Sequence, residues 1–460
     1  MSEMSNGWVR VPLLSLIGED GLFTDGDWVE SKDQDPSGQI RLLQLADIGD
    51  GKFLNKSARF INDKTFVELR CTQLAVGDVL VARMPDPLGR ACLMPELDQP
   101  CVTVVDVAAI RPGCESVVPS WLMHTINAPQ FRQVMAQQAS GTTRKRISRG
   151  NLAQIPVPVP PRPEQQRIAD KLDTVLARVD ACRDRLARVA PLLKRFRQSV
   201  LAAATSGRLT EDWRDGKAVQ SEWAEVPLGM VLEGKPRNGY SPVSTDQPTS
   251  VRSLTLSATT SGKFKGEHFK YINEPIAPDS HLWLEPGDVL IQRANSLEHV
   301  GVSALFSGEP HSFIYPDLMM KARADRKRIS PSFLHIALSH EGARKFFRDN
   351  ATGTAGNMPK INQQTVMTLP IRLPSLLEQA EIVRRVKTLL AFADRLEARL
   401  AQVQTAVDRL TPSLLAKAFR GELVPQDPAD EPAAELLNRL SASRAAPAPK
   451  TRKGRQAQTA

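Results

Sequence analysis

Residues 164–168 of the chain are EQQRI, and residues 378–382 are EQAEI. Each stretch follows a proline-spaced apolar run, Ile155-Pro156-Val157-Pro158-Val159-Pro160 before the first and Leu369-Pro370-Ile371-Arg372-Leu373-Pro374 before the second. Each also opens a long segment rich in Leu, Ala and Arg. Proline has no backbone N–H and pushes the residue before it out of helical geometry. Pro160 to Pro163 and Pro374 therefore set helix starts, with Glu164 and Glu378 near the positive helix ends. Gly207 and Gly421 are natural stops. About 41 residues lie between start and stop, roughly 60 Å of helix at 1.5 Å per residue. Pro191 and Pro412 fall inside these spans and are expected to kink or interrupt them.

The junction is one part of a duplication that runs through the chain. Trp8-x-x-Val11-Pro12-Leu13 returns as Trp223-x-x-Val226-Pro227-Leu228, and Gly51-Lys52-Phe53 returns as Gly262-Lys263-Phe264. Leu74-x-x-Gly77-Asp78-Val79-Leu80-x-x-Arg83 returns as Leu284-x-x-Gly287-Asp288-Val289-Leu290-x-x-Arg293, and Pro119-Ser120-Trp121-Leu122 as Pro331-Ser332-Phe333-Leu334. From Pro156 to Leu209 the second copy follows without a gap, with about 20 of roughly 54 pairs identical. Short β-rich runs with Gly, Pro and Asp turn signals mark the first part of each half as a compact α/β domain. The organisation expected is an α/β domain over 1–160, a helix over 161–207, a linker over 208–222, a second α/β domain over 223–374, a second helix over 375–421, and a mostly disordered tail over 422–460 with a short helix near Glu435 to Arg439.

Both helices carry an apolar seam in alternating steps of four and three. The first runs Ile168, Leu172, Val175, Val179, Cys182, Leu186, Val189, Leu193, Phe196 and Val200. The second runs Ile382, Val386, Leu389, Ala393, Leu396, Leu400, Val403, Val407, Leu410 and Leu414. Such a stripe needs a partner, and the matching stripe of the other half is the nearest candidate. An internal two-fold axis pairs the helices antiparallel, with an α/β domain at each end; the sequence by itself also permits a parallel pair. The plainer possibility is that each helix covers its own domain. The expected fold is α+β, two pseudo-symmetric α/β domains separated by two long helices in an antiparallel coiled coil.

Bulk properties narrow the class of function. The 460 residues carry a formal charge of +9 with 41% hydrophobic side chains, which suits two or three ordinary cores and an anionic partner such as nucleic acid. No export signal or membrane span is legible, and the expected location is cytoplasmic. Cys71, Cys92, Cys101, Cys114 and Cys182 have no CxxC spacing and are expected as buried thiols. The histidines form no ligand-spaced pair, and His335 and His340 are expected as ordinary helix residues. Phosphate-loop, amino-methylation and methyl-donor fingerprints are absent from the sequence. Pro316-Asp317 followed by Asp325-Arg326-Lys327 imitates a loose metal-nuclease pattern, without a counterpart in the first half.

Two α/β domains alternating with two repeated helices, the Gly-Asp-Val-Leu-x-x-Arg signature, the Pro-x-x-x-Glu-Gln junction and the exits Ser199-Val200-Leu201…Gly207-x-Leu209 and Ser413-Leu414-Leu415…Gly421-x-Leu423 resemble the specificity subunits of type I restriction-modification enzymes, over about residues 8 to 424. The resemblance implies two target recognition domains, each reading one half of a split double-stranded DNA site. It further implies helices that set their separation and dock methyltransferase (modification) subunits, with restriction/translocase subunits completing the assembly. It implies no catalytic residue and no cofactor or metal bound by this chain; methyl donor, ATP and magnesium would belong to the partner subunits. Composition suggests where DNA would be touched. Thr142, Thr143, Arg144, Lys145, Arg146 and Arg149 cluster cations beside small residues, and the matching loop of the second half contains Asn357 and Lys360. Arg83, Lys235, Arg237, Asn238, Tyr240, Arg293, Asn295 and Ser296 complete the candidates, Arg and Asn being suited to guanine and adenine edges. The competing functions are a free-standing tandem-repeat adaptor and a metal-dependent nuclease.

Overall fold

A computed structural model of the chain describes residues 7–85, 88–113, 116–141, 145–215, 223–353 and 358–445. The chain divides into two compact units, one formed by residues 1–185 with 403–460 and the other by 186–402.

In the first unit the strand Val9–Pro12 pairs antiparallel with Pro156–Val159, Val9 opposite Val159 and Pro12 opposite Pro156. This is where the proline-spaced run goes: only alternate residues of a strand bond a given neighbour, so a two-stranded ribbon tolerates proline at every second position while Val157 and Val159 point into the core. A four-stranded antiparallel sheet follows, ordered Leu22–Asp25, Val107–Arg111, Val79–Ala82, Ala91–Leu93. A three-stranded sheet joins Phe60–Ile61, Ile40–Leu43 and Cys101–Thr103, the last two parallel. The second unit repeats the ribbon as Ala224–Pro227 with Pro370–Leu373, and the four-stranded sheet as Arg237–Asn238, Met319–Ala322, Val289–Gln292, Ser303–Leu305. Its three-stranded sheet is entirely antiparallel, Ser244–Thr245 and Val251–Leu254 flanking Phe269–Ile272.

The duplicated Glu-Gln is a pin that locks each long helix to its own domain. Trp8 Nε1 donates to Glu164 Oε2 at 3.0 Å, and Trp223 Nε1 to Glu378 Oε2 at 3.1 Å. The glutamines are fully buried. Gln165 Nε2 donates to the Pro160 carbonyl while its Oε1 accepts from the Val118 N–H, both at 3.0 Å. Gln379 does the same with the Pro374 carbonyl (3.0 Å) and the Ser330 N–H (2.8 Å). Val118 and Ser330 cap the helices Pro119–Asn127 and Pro331–Ser339. One side chain therefore satisfies the ribbon's end and a helix start at once, and a buried amide can hold that position only if both its faces are bonded.

The first long helix spans Arg162–Ser206 and the second Leu376–Ala418, both continuous through Pro191 and Pro412, so neither proline interrupts its helix. In the first unit, Ile168 and Leu172 share a core with Leu415 and Ala418, while Arg183 reaches Asp408 (3.4 Å) and Thr411 (3.2 Å). In the second, Arg197 bonds Asp394 (2.5 Å) and Glu397 (2.8 Å), while Val200 and Ala204 share a core with Ile382 and Val386. Within each unit the numbers climb on one helix as they fall on the other, so the segments pair antiparallel. The beginning of each helix also covers its own domain, so both sequence expectations hold in part. Val386, Ala393, Leu400 and Val407 are buried, whereas Leu396 and Val403 are each 37% exposed. A single partner helix covers a narrow seam, and the outer row of a four-three stripe is left at the surface.

The short helix expected near Glu435 to Arg439 extends over Ala433–Ala445 and buries Ala433, Leu436 and Leu440 in the first unit's core. The Ala433 N–H bonds the Gly7 carbonyl at 3.1 Å, and Arg167 pairs with Asp430 at 2.6 Å. The helix is Ala-rich, and its three buried residues at positions 433, 436 and 440 face one way. The expected linker is also folded as far as Asp215, forming the helix Glu211–Asp215 after a turn at Arg208–Thr210. There, Thr210 donates to Glu378 at 2.7 Å and Arg214 pairs with the same carboxylate. Cys71, Cys92 and Cys101 are buried as expected, and Cys182 is partly exposed; Cys114 lies outside the described residues.

Candidate nucleic-acid interface

In each domain the Gly-Asp-Val-Leu signature builds the strand that ends in the candidate arginine. Gly287 takes a left-handed φ of 99°, and Asp288 accepts from the Glu285 N–H (2.9 Å) and from Arg323 Nε (2.8 Å) and Nη2 (3.1 Å). Asp78 repeats this with the Ala75 N–H (2.8 Å) and Arg111 Nε (2.7 Å) and Nη2 (2.8 Å). A carboxylate gripped on both oxygens fixes the start of the strand, and four buried residues later the strand gives way to Arg83 or Arg293.

At the second domain's tip the structure brings several candidates together. Arg293 N–H bonds the Leu318 carbonyl (2.8 Å), its own carbonyl accepts from Ile361 (2.9 Å), and Asn295 N–H bonds the Pro359 carbonyl (3.2 Å). The backbone of Lys360 bridges both Ala294 and Thr352. The Tyr240 N–H bonds the Tyr315 carbonyl (2.9 Å), and Ser241 Oγ contacts Asp317 Oδ1 (2.5 Å). Tyr240 and Arg293 thus bond the loop 315–318, while Asn295 and Lys360 join the segment 293–295 to residues 359–361. Their side chains differ in freedom. Asn295 is committed to Gln292 (2.7 Å) and the Ser296 N–H (2.7 Å), and Ser296 Oγ lies 2.9 Å from His299 Nδ1. Tyr240 OH bonds Glu274 at 3.1 Å, which pushes the phenol up. Arg293 is half-buried and donates to the Asp317 carbonyl at 3.3 Å. Lys235 and Arg237 face elsewhere, lining a cleft of about 700 Å³ with His281, Trp283 and His311; Asn238 stands on the same strand as Arg237 and is exposed.

The first domain's tip has the same backbone and a different charge arrangement. The Ile147 N–H bonds the Arg83 carbonyl at 3.1 Å, and Ser140 pairs with Arg146 as Thr352 does with Lys360. Arg83, however, is 1% exposed. Its guanidinium pairs with Asp25 at 2.7 Å and donates to the Val105 carbonyl, which also accepts from Arg146 at 3.0 Å. Burial pushes the Arg83 guanidinium down, and Asp25 works against that. Arg83 is accordingly placed as a strut inside the tip and is withdrawn as a direct contact. Lys145 and Arg149 are exposed beside it, while Thr142, Thr143, Arg144 and Asn357 lie outside the described residues.

The sequence reading passed over Trp28, which is 66% exposed beside a cleft of about 620 Å³ lined by Glu30, Gln44, Arg59 and Asp106. Its signal was a lone indole in a polar stretch without strand or helix periodicity. The nuclease-like pattern dissolves: the strand Met319–Ala322 carries Asp317 and Asp325 to opposite ends. No cluster of metal-ligating residues occurs among the described residues. His335 is a half-buried helix residue pushed down to about 4 by desolvation, and His340 caps a helix by accepting from the Gly342 N–H at 3.1 Å. Among the described residues no helix is long and apolar enough to cross a membrane.

Residues 30–189 match the family model described as type I restriction modification DNA specificity domain. The chain is 33% identical over 340 residues to the type I restriction enzyme EcoKI specificity subunit of Escherichia coli (strain K12), covering 72% of this chain and 73% of that protein. It is 33% identical over 348 residues to the StySPI specificity subunit of Salmonella potsdam, covering 73% and 74%. Its fold resembles a chain from a solved type I R-M system (TM-score 0.70, 19% identity, 92% of this chain and 100% of that one). It also resembles the HsdS subunit from Thermoanaerobacter tengcongensis (TM-score 0.58, 20% identity, 92% and 98%).

Proposed function

The chain belongs to the specificity subunits of type I restriction enzymes, and from that premise we propose that its two domains each read one half of a split double-stranded DNA site while the chain itself performs no chemistry. The observation that carries this is the pairing of one frame with two different tips. Asp78–Arg111 and Asp288–Arg323 are matching devices, whereas the arginines at the ends of the two strands differ in exposure and partners. That is the pattern expected of two readers that share a scaffold and differ in sequence preference.

Methylation and cleavage would then belong to partners. Methyltransferase subunits would bring the methyl donor, and restriction/translocase subunits ATP and magnesium. Phe392 and Leu396, 48% and 37% exposed on the second long helix, suit docking of a methyltransferase subunit, because an exposed apolar row beside a paired seam is a ready contact face. An assembly acting on the cell's own DNA places the protein in the cytoplasm.

The test is a domain exchange. Replacing residues 223–365 by the equivalent part of a relative, in a chain combined with its methyltransferase, should change one half of the methylated sequence and leave the other intact. A change in both halves, or methylation of a continuous site, would refute separate reading.

A further inference from the structure

The Gly-Lys-Phe tripeptide is duplicated, yet neither the junction nor the reading tip uses it. Its two outer residues have local tasks. Gly51 and Gly262 sit at left-handed φ of 71° and 74°, a conformation that favours glycine. Phe264 packs in its domain's core, its ring 4.8 Å from that of Phe306 and 6.1 Å from that of Phe313. Phe53 packs against the equivalent core with the Arg41 guanidinium 5.9 Å over its ring.

The lysine between them buries nothing, being 58% exposed as Lys52 and 61% as Lys263, so the core does not demand it. Both lysines nevertheless reach the same kind of target. Lys52 pairs with Asp180 on the first long helix, and Lys263 Nζ lies 2.7 Å from Asp394 Oδ2 on the second. Asp180 and Asp394 occupy matching positions of the repeat. Each aspartate belongs to a charge relay that crosses the helix pair: Asp394 also takes Arg197 of the opposite helix at 2.5 Å, and Asp180 takes Arg183 at 3.2 Å, which itself reaches Asp408. Burial would raise the Asp394 carboxyl, but Lys263 and Arg197 together hold it below its usual value.

We propose that Lys52 and Lys263 are positioning residues: each ties its domain to its own segment of the helix pair and fixes the angle at which the domain stands there, and so the gap tolerated between half-sites. This deepens the bipartite reading above and rests on it. The phenylalanine anchors the turn in the domain, the glycine swings the chain, and the lysine holds the helix. Exposed pairs of this kind shift an equilibrium by about fivefold at most. The effect therefore falls on stringency of spacing, with the fold unaffected.

The experiment uses the full chain assembled with its methyltransferase subunits. Its DNA library carries the two half-sites at the preferred gap, one base pair shorter and one longer. Lys263→Met should raise methylation at the two wrong gaps, relative to the preferred one, by about fivefold, with the half-site sequences and melting temperature unchanged. Lys263→Arg should restore stringency, and added salt should move the unmodified protein toward the Met variant. Unchanged gap preference in Lys263→Met, or an Arg variant as permissive as the Met one, overturns the strut while leaving two-part reading intact. An unmodified complex that methylates no two-part site overturns the functional reading and the strut with it.

Discussion

Asp25 and Asn238 occupy one place in two copies of the same sheet, each one strand removed from the strand that leads from the Gly-Asp-Val-Leu signature to an arginine. In the first domain the acid, itself one-third exposed, holds the buried Arg83 guanidinium inside the tip. In the second the neutral amide leaves Arg293 half-buried at the tip, bonded to a carbonyl. One carboxylate thus separates an arginine that supports a tip from one that stands at its surface. The duplicated frame is conserved within the chain because it carries load; the tips are free to diverge because their partner lies outside the chain.

The largest expected contrast lies beneath the tips. Ending the chain at Leu423 removes Leu436 and Leu440 from the first unit's core and nothing from the second's. At 1.5–3 kcal/mol per buried leucine, the first unit should lose about 4 kcal/mol, seen as an earlier unfolding transition by calorimetry. A transition that does not move would mean that the C-terminal helix is ornamental. Next, Asp25→Asn makes the first tip imitate the second and leaves the buried Arg83 guanidinium without this carboxylate; because Asp25 is one-third exposed, the cost in denaturant unfolding should be about 2 kcal/mol. Asn238→Asp, at an exposed position, should stay within about 0.5 kcal/mol. Equal costs in the two domains would break the comparison.

Smaller effects follow at the surface. Arg293→Ala should leave stability nearly unchanged and lower discrimination at one position of one half-site about tenfold, measured by methylation of a randomised site. The smallest concerns the two pins. Burial pushes the Glu164 carboxyl up from 4.5, with the Trp8 indole N–H opposing it. A raised folded-state value means that the stability it lends is full below the ordinary carboxylate range and drains as pH rises through the raised value. Glu164→Gln keeps an acceptor for Trp8 and should raise stability at pH 7, flattening the pH dependence above 4.5. Glu378→Gln should lose about 1 kcal/mol instead, because Glu378 is paired with Arg214. Stability changes of the same sign in the two variants at pH 7 would show that the pins are equivalent after all.

The repeat, the helix limits and the seam were legible because each is a periodic signal within one stretch of chain. The pin at Glu164 and Gln165 was visible as a recurrence, but its meaning depended on Trp8 and Val118, far away in sequence. Arg83 and Arg293 look alike in sequence because the residue that distinguishes them, Asp25 or Asn238, arrives from a different strand. Leu396 and Val403 continue the stripe perfectly well, and only the width of the contact decides that they stay at the surface. The C-terminal helix was legible near Glu435 to Arg439, but its docking was not, because the core that receives Ala433, Leu436 and Leu440 is built from residues far away in sequence.

The first unit is completed by residues 403–460, with the whole of the second unit's chain inserted between its parts. A ribosome therefore delivers the two units in an order opposite to their numbering. At about 5–20 residues per second, the core that holds Trp121 and Ile168 waits roughly 13–50 s for Leu415, Leu436 and Leu440 to be made. During that interval its apolar face is open to chaperones and to other nascent copies. Interrupted translation leaves a product whose first domain never closes, so cellular quality control would see a premature stop near the C-terminus as a defect of the N-terminal domain.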